Sequence, residues 1–546
     1  MSASPAEVVA VAGAAAIALG AVVALLPRAL RAGLLVQAAG IAALGVVGAV
    51  ALLGHERLGA AFRWSVSPAL GVDGLSGLFL ALLAVTALPA LVFALGYLSD
   101  DGRGRVLGAL TGAFLLALAG VLVARDPSTL LGAWELMTVV SAAAVLVARA
   151  GGDDVTGREA AFLYLAITHV GGAGAWVALL TLGPGHAAAP AVIAVAALVG
   201  FGTKAGLVPM HAWLPRAHPV APAHLSALMS GVMVKVALYG LIRVDFEWLG
   251  TPPTWLGIVL LAIGAASAVG GILWGLVQRD LKRLLAYCTI ENVGIVVLAL
   301  GASALLRAGG DRQWAAIAFG AALLHGCNLA VVKALLFLCA GAVEQRAGTL
   351  DLDRLGGLLR RMPWTGGALL LGAAAIAGVP GLNGFASEWL ALQSLVHVAL
   401  DGPLGTGIAG ALALAALATA AGLALLTFVK VCGLALLGVP RTEAGARATE
   451  APLPMRAATA TLAALCVALG LAPGLLLPTL AGLAPGGGAH GLARHAGLGV
   501  GGTSLPTVAL VAGIVVLTAL LVRARGARRA RPAPAWACGQ PDVAAL

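Results

Sequence analysis

The sequence predicts an all-α integral membrane protein of about fourteen to fifteen transmembrane helices. Three observations predict it. Of 546 residues, 61% are apolar and only 10% charged, against about 45–50% and 25% in ordinary soluble domains. The mean hydropathy is +1.01, and 33 basic plus 23 acidic residues are too few to cover a water-soluble fold of this size. The apolar residues also fall into runs of about twenty, the length a helix needs to cross a hydrocarbon core of about 30 Å. A soluble enzyme is thereby excluded.

The first run, near 7–26, has no basic residue before it, the first being Arg28, so it reads as a retained helix and not a cleaved signal peptide. Further helices are expected near 30–53, 72–98, 106–124, 128–149, 157–182, 190–209, 222–244, 254–278, 282–305, 313–343, 365–396, 404–438, 455–478 and 503–523. Asp73 opens the third as a favourable anion at a helix N-terminus. The seventh and twelfth carry Gly/Pro interruptions near Pro209 and Pro380 and are expected to be broken. Trp134, Trp213 and Trp389, near the ends of runs, read as interfacial anchors.

Lys and Arg gather in the loops after odd-numbered helices, for example Arg28, Arg31, Arg279, Lys282, Arg283, Arg360 and Arg361. The positive-inside rule then places the N-terminus outside and the C-terminus in the cytoplasm of a bacterial-type inner membrane. The basic cluster from Arg523 to Arg531 follows an apolar run and reads as an anchor for anionic lipid. The other basic residues lie singly, so nucleic acid is not an expected partner despite a pI near 9.8.

Lysine is distributed unlike arginine. Four of five lysines, Lys204, Lys235, Lys333 and Lys430, fall inside predicted helices, while the arginines go to loops and helix ends. Arginine keeps its proton in proteins, whereas a desolvated lysine can release it. Each charge near the bilayer centre costs about 2.5–3.5 kcal/mol, so the placement points to groups that change protonation state. Glu135, Glu291 and Glu388 are candidate partners, with His169, His325, His224 and His397 as neutral relays. Snorkelling competes for Lys430. His211 and His218 lie beside prolines, where turn capping and proton entry both remain open.

Helices four to eight carry Glu135, Lys204 and Lys235, and helices nine to thirteen carry Glu291, Glu388 and Lys430 in matching order. Five is odd, so consecutive copies would enter the membrane from opposite sides as an inverted repeat. The expected division is 1–105 (three N-terminal helices), 106–244 and 254–438 (the two five-helix repeats) and 439–546 (C-terminal helices and basic tail).

The six cysteines form no CxxC pair, so no iron–sulfur cluster or zinc site is expected. GVGG at 499–502 lacks the GxxxxGK[ST] pattern, and there is no Rossmann fingerprint. No cofactor, no metal and no redox active site of its own is expected for this chain.

The stretch GFGTKAGLVPMHAWLPRAHPVAPAHLSALMSGVMVKVALYG at 200–240 resembles the core of the antiporter-like subunits of respiratory complex I and its Mrp relatives. WELMTVVS around Glu135, RDLKRLLAYCTIENVGI around Glu291, GVPGLNGFASEWL around Glu388 and the terminal WACGQP look most like the subfamily of hydrogenase-4 component B and its formate-hydrogenlyase counterpart. The resemblance implies that Glu135 pairs with Lys204, that Lys204 and Lys235 pass protons along the midplane, and that His325, Lys333 and Glu388 complete the route, with Glu291, Lys430 and His211 as further candidates. It also implies other membrane subunits and peripheral redox subunits, hydrogenase-like or iron–sulfur proteins, as partners. One departure stands out: relatives carry a second histidine four residues after the first, and here that position is Leu329 in HGCNLAVVK. The expected function is proton or sodium translocation in a redox-driven complex. A cation/proton antiporter without redox partners, and a structural subunit with a non-conducting channel, are the alternatives.

Overall fold

Helix starts in this chain are written in prolines and short polar side chains. Ser4, Asp73, Asp101, Asp280 and Asp311 each accept a backbone N–H of the helix they precede, and Pro5, Pro127, Pro190 and Pro363 occupy first helical positions where no donor is needed. The computed structural model describes residues 4–54, 57–65, 67–148, 155–183, 188–485, 498–500 and 503–505, with isolated positions between 513 and 520.

In chain order the helices are α1 (Pro5–Leu25), α2 (Leu30–Gly54), α3 (Gly74–Tyr97), α4 (Gly102–Val123), α5 (Pro127–Ala148), α6 (Val155–Thr181), α7 (Pro190–Ala205), α8 (Leu214–Val220), α9 (Ala223–Leu228), α10 (Val234–Ile242), α11 (Thr254–Val277), α12 (Leu281–Ala308), α13 (Arg312–Ala347), α14 (Leu358–Arg361), α15 (Pro363–Ile376), α16 (Asn383–Asp401), α17 (Leu404–Val431), α18 (Glu443–Arg447), α19 (Leu453–Leu471) and α20 (Leu477–Gly482). α9 and α10 form one continuous rod, Ala223–Trp248, containing π-turns at Met229–Met233 and Arg243–Trp248. Among the described residues twelve helices are long and apolar enough to cross a membrane. The protein is a multi-span, all-α membrane protein.

Both expected breaks are present. The seventh predicted helix stops at Ala205, and the chain resumes helically as α8. The twelfth divides into α15 and α16 across Ala377–Leu382. The predicted fifteenth helix and the basic tail lie almost wholly outside the described residues. Its first positions, 503–505, pair as strand β4 with β3 (Leu498–Val500), since the residue before Pro506 is biased towards extended backbone.

The small residues pack helices closely, as membrane interfaces favour. A Cβ at Gly40 of α2 would sit 2.5 Å from the Gly13 carbonyl of α1, and one at Gly271 of α11 would sit 2.5 Å from the Glu291 amide of α12. The α12, α13 and α9–α10 rods occupy the centre, where almost every residue is buried. Trp134 and Trp213, expected as interfacial anchors, are 1% and 0% exposed. Their rings fill the first helix break, where large apolar area is worth more than an interfacial position; Trp389 is half-buried.

One end of the molecule is closed by a short hairpin, β1 (Leu58–Gly59) with β2 (Gly71–Val72). Its loop packs Phe62 and Trp64 against Trp248 at ring-centroid distances of 4.3 and 5.5 Å. Beneath it Asp73 caps α3, as expected, and also pairs with Arg125 at 3.5 Å and with Arg243. Burial opposes its charge, but the Arg243 and Arg125 guanidiniums outweigh that and hold its carboxyl well below the usual carboxylate range.

Candidate functional site

Lys204 sits in the last turn of α7, the end where a helix dipole favours a cation. The helix ends there because Gly206 takes φ +83°, a conformation that side chains avoid. Trp213 Nε1 donates to the Thr203 carbonyl at 2.8 Å, satisfying one of the acceptors the break leaves free. The amine is 1% exposed. It donates to Thr138 Oγ1 at 2.7 Å and to Tyr164 Oη at 2.8 Å, and Tyr164 Oη lies 2.7 Å from Ser141 Oγ.

Glu135 does not form the direct pair with Lys204 that the resemblance implied. Its carboxylate accepts from Trp176 Nε1 at 2.9 Å and meets His169 Nε2 at 3.2 Å. Hydroxyls on the same α5 face and on α6 stand at the amine itself. The Glu135 and His169 side chains are 28% and 46% exposed, on a flank that would otherwise meet lipid.

At the centre of the row two lysines converge on one polar seam. The π-turn at Met229–Met233 shifts the backbone ladder, and Lys235 Nζ donates to the Ser230 carbonyl at 2.6 Å. Ser230 Oγ meets Thr289 Oγ1 at 2.8 Å, and Thr289 Oγ1 donates to the Leu285 carbonyl at 3.0 Å. Lys333 Nζ donates to that same Leu285 carbonyl at 3.0 Å. Both lysines are 0% exposed. His218 of α8 is packed between Trp213 and Phe337, at centroid distances of 5.9 and 5.5 Å. Neither of its ring nitrogens has a hydrogen-bond partner among the described residues.

At the second break, His325 Nδ1 meets Ser387 Oγ at 2.9 Å. Asn328 Nδ2 donates to the Asn383 carbonyl at 2.7 Å and to Ser387 Oγ at 3.0 Å, and Asn383 Nδ2 returns a bond to the Asn328 carbonyl at 3.1 Å. Leu329 is buried, 1% exposed. Glu388, the residue after Ser387 on α16, is half-buried; its Oε2 is 2.8 Å from where a Cβ on Gly378 would stand, and Gly378 turns the chain with φ +68°.

Other candidates fall elsewhere. Glu291 is buried beside its neighbour, accepting from Asn292 Nδ2 at 3.2 Å. Lys430 is half-buried and donates to the Gln278 carbonyl at 2.8 Å and to the Leu276 carbonyl, so it caps the C-terminus of α11, a role for which a cation is suited. His211 is half-buried in the link between α7 and α8. His224 Nε2 meets Thr111 Oγ1 at 3.1 Å, and His397 pairs with Asp401 at 2.7 Å near the end of α16.

Sequence reasoning missed several groups. Tyr164, Thr138, Ser230 and Thr289 carry no charge; the scarcity of tyrosine, four in the chain, was the available signal for the first. Lys282, read as a loop residue, is 1% exposed and pairs with Glu344 at 2.6 Å, because the first turn of α12 is drawn beneath the end of α13.

Residues 160–413 match the model of the NADH:quinone oxidoreductase/Mrp antiporter transmembrane family. Hydrogenase-4 component B of Escherichia coli (strain K12) is 36% identical over 507 residues, covering 86% of this chain and 74% of that protein. Two solved structures share the fold at 21% identity. A chain of the membrane-bound sulfane sulfur reductase, an archaeal respiratory membrane complex, superposes with a TM-score of 0.76 over 96% of this chain and 86% of its own. A chain of the Mrp complex from Dietzia sp. DQ12-45-1b does so with a TM-score of 0.71 over 87% and 96%.

Proposed function

The chain belongs to the NADH:quinone oxidoreductase/Mrp antiporter membrane family, and on that premise we propose that it is the proton-translocating, antiporter-like subunit of a redox-driven membrane complex. The observation that carries the reading is a buried run of polar groups, Lys235, Ser230, Thr289 and Lys333, in which both amines rest on backbone carbonyls and protons would cross between amine and hydroxyl through water. Ammonium groups give up and regain protons, hydroxyls both donate and accept, and the run is sealed from lipid. Lys204 with Thr138 and Tyr164 feeds it from one side. His325, Asn328, Ser387 and Glu388 continue it on the other, and Leu329 is bypassed by the Asn328 amide.

Moving one charge across 100 mV costs about 2.3 kcal/mol, so each stroke requires a change in lysine hydrogen bonding or pairing of at least about that size. Redox partners supply it in this reading. The exposed Glu135–His169 pair supports a neighbouring membrane subunit on the α5–α6 flank, because lipid offers a carboxylate no donors. Hydrogenase-like or iron–sulfur subunits would dock on the cytoplasmic face, with the hairpin end facing outward across a bacterial-type inner membrane, as the loop arginines favour.

The test is proton uptake by the assembled complex in vesicles. Lys204→Ala and Lys235→Ala are expected to abolish uptake while redox turnover stays measurable. Uptake at the wild-type rate in both would overturn the reading.

A further inference from the structure

One buried acid plays no part in the row. Asp245 lies on the same rod as Lys235, ten residues further towards the hairpin end, a distance of roughly 15 Å along a helix. It is 0% exposed, and neither carboxylate oxygen has a hydrogen-bond partner among the described residues. A buried carboxylate without a donor is expensive anywhere, and within a membrane such groups mark ion pathways. Arg243 and Glu247 are close in sequence, but the Arg243 guanidinium is committed to Asp73 and Glu247.

Along the rod Asp245 falls between the residues that line two cavities, Ile242 for one and Phe246 for the other. The first, of about 10 Å³, the space of one water molecule, is lined by Lys235, Leu238 and Ile242 with Val296 of α12 and Leu323 and Cys327 of α13. The second, of about 160 Å³, lies at the hairpin end and is lined by Phe246, Thr251, Ser303, Arg307, Arg312 and Ala315. The three rods contribute to both, with Leu78, Phe79 and Leu82 of α3 completing the first and Ala484 and Pro485 the second. On the Lys235 rod Lys235, Leu238 and Ile242 share one helix face, and Asp245 and Phe246 follow within the π-turn Arg243–Trp248. Phe246 and Phe319 stand at the junction with ring centroids 5.9 Å apart.

We propose that Asp245 is a proton-release group that connects Lys235 to the hairpin-end cavity, with Phe246 and Phe319 as the apolar gate. When water threads the first cavity, the Lys235 ammonium passes a proton to the Asp245 carboxylate, leaving a neutral amine and a neutral acid. Asp245 then gives the proton to water in the second cavity and returns to the anion, and the row recharges Lys235. Between strokes the apolar lining keeps the passage dry, as hydrophobic constrictions gate by dewetting. Arg307 and Arg312 at the mouth make return of a hydrated proton unfavourable. The inference rests on the translocation reading above and adds a second branch to it.

The assembled complex in sealed vesicles tests it, with Lys204→Ala alongside. Asp245→Asn is expected to lower proton translocation by at least about tenfold, an added barrier of about 1.4 kcal/mol, and Asp245→Glu to recover most of it. Phe319→Ala, which widens the gate without touching a titratable group, is expected to raise passive proton leak several-fold. Wild-type pumping in Asp245→Asn with a dead Lys204→Ala overturns this branch and leaves the parent reading standing. Wild-type pumping in both overturns the two together. Should Asp245→Asn fail to assemble, the leak of Phe319→Ala decides, and an unchanged leak overturns the branch.

Discussion

At the α7 break a long cationic side chain is met by the hydroxyls of Thr138 and Tyr164; at the α15–α16 break the polar atoms are amides and an imidazole, with a carboxylate leaning on Gly378. A hydroxyl donates or accepts as required, so the first break tolerates its amine in either protonation state. The second is more rigid, since the Asn328 and Asn383 amide donors are already committed. It also leaves His325 Nε2, Asn328 Oδ1 and Asn383 Oδ1 buried without partners among the described residues, the kind of site that ordered water completes. The contrast separates a place where charge is switched from a place where water is held.

Among uncharged positions the largest effect is expected at the second break. Asn383→Leu removes the bond to the Asn328 carbonyl and is predicted to destabilise the solubilised complex by about 2–3 kcal/mol and to lower proton flux at least tenfold, read by thermal unfolding and vesicle acidification. Gly378→Ala forces a left-handed residue and a contact with the Glu388 carboxylate. A loss of about 1–2 kcal/mol is expected, with flux falling more than stability because Glu388 is displaced. Tyr164→Phe keeps the ring and removes one acceptor of the Lys204 amine, for a loss of about 1 kcal/mol and a several-fold slower flux. Equal effects of Asn383→Leu and Tyr164→Phe would erase the distinction between the two breaks.

The smallest effect lies outside the row. The folded-state pKa of Asp73 is depressed, so its contribution to stability is fully present above its ordinary value of 3.8 and is lost as pH falls below it towards the folded value. Wild-type protein and Asp73→Asn should therefore differ by a constant amount in thermal unfolding from pH 7 to pH 5 and converge at lower pH.

Much of the architecture was legible because lipid imposes it. Run lengths gave the helices, Pro209 and Pro380 marked the breaks, and the cost of burying Lys204, Lys235 and Lys333 singled them out from the sequence alone. What each amine touches was not legible. In a chain apolar on every face, Ser230 or Thr289 produces no periodic signal, and their importance comes from which rods the fold brings alongside. Lys282 misled for a related reason, since its loop-like sequence context concealed a buried pairing with Glu344. Asp245 was overlooked because a helix-end acid reads as ordinary surface until the hairpin and α13 are packed around it.

The π-turn at Met229–Met233 holds one residue more than a regular turn requires. Were the same residues wound as uninterrupted α-helix, everything beyond would be rotated by about 100°. Lys235 would then swing off the α12 seam, and every later side chain to Trp248 would turn with it. The wide turn therefore sets the direction of the rod's whole outer half.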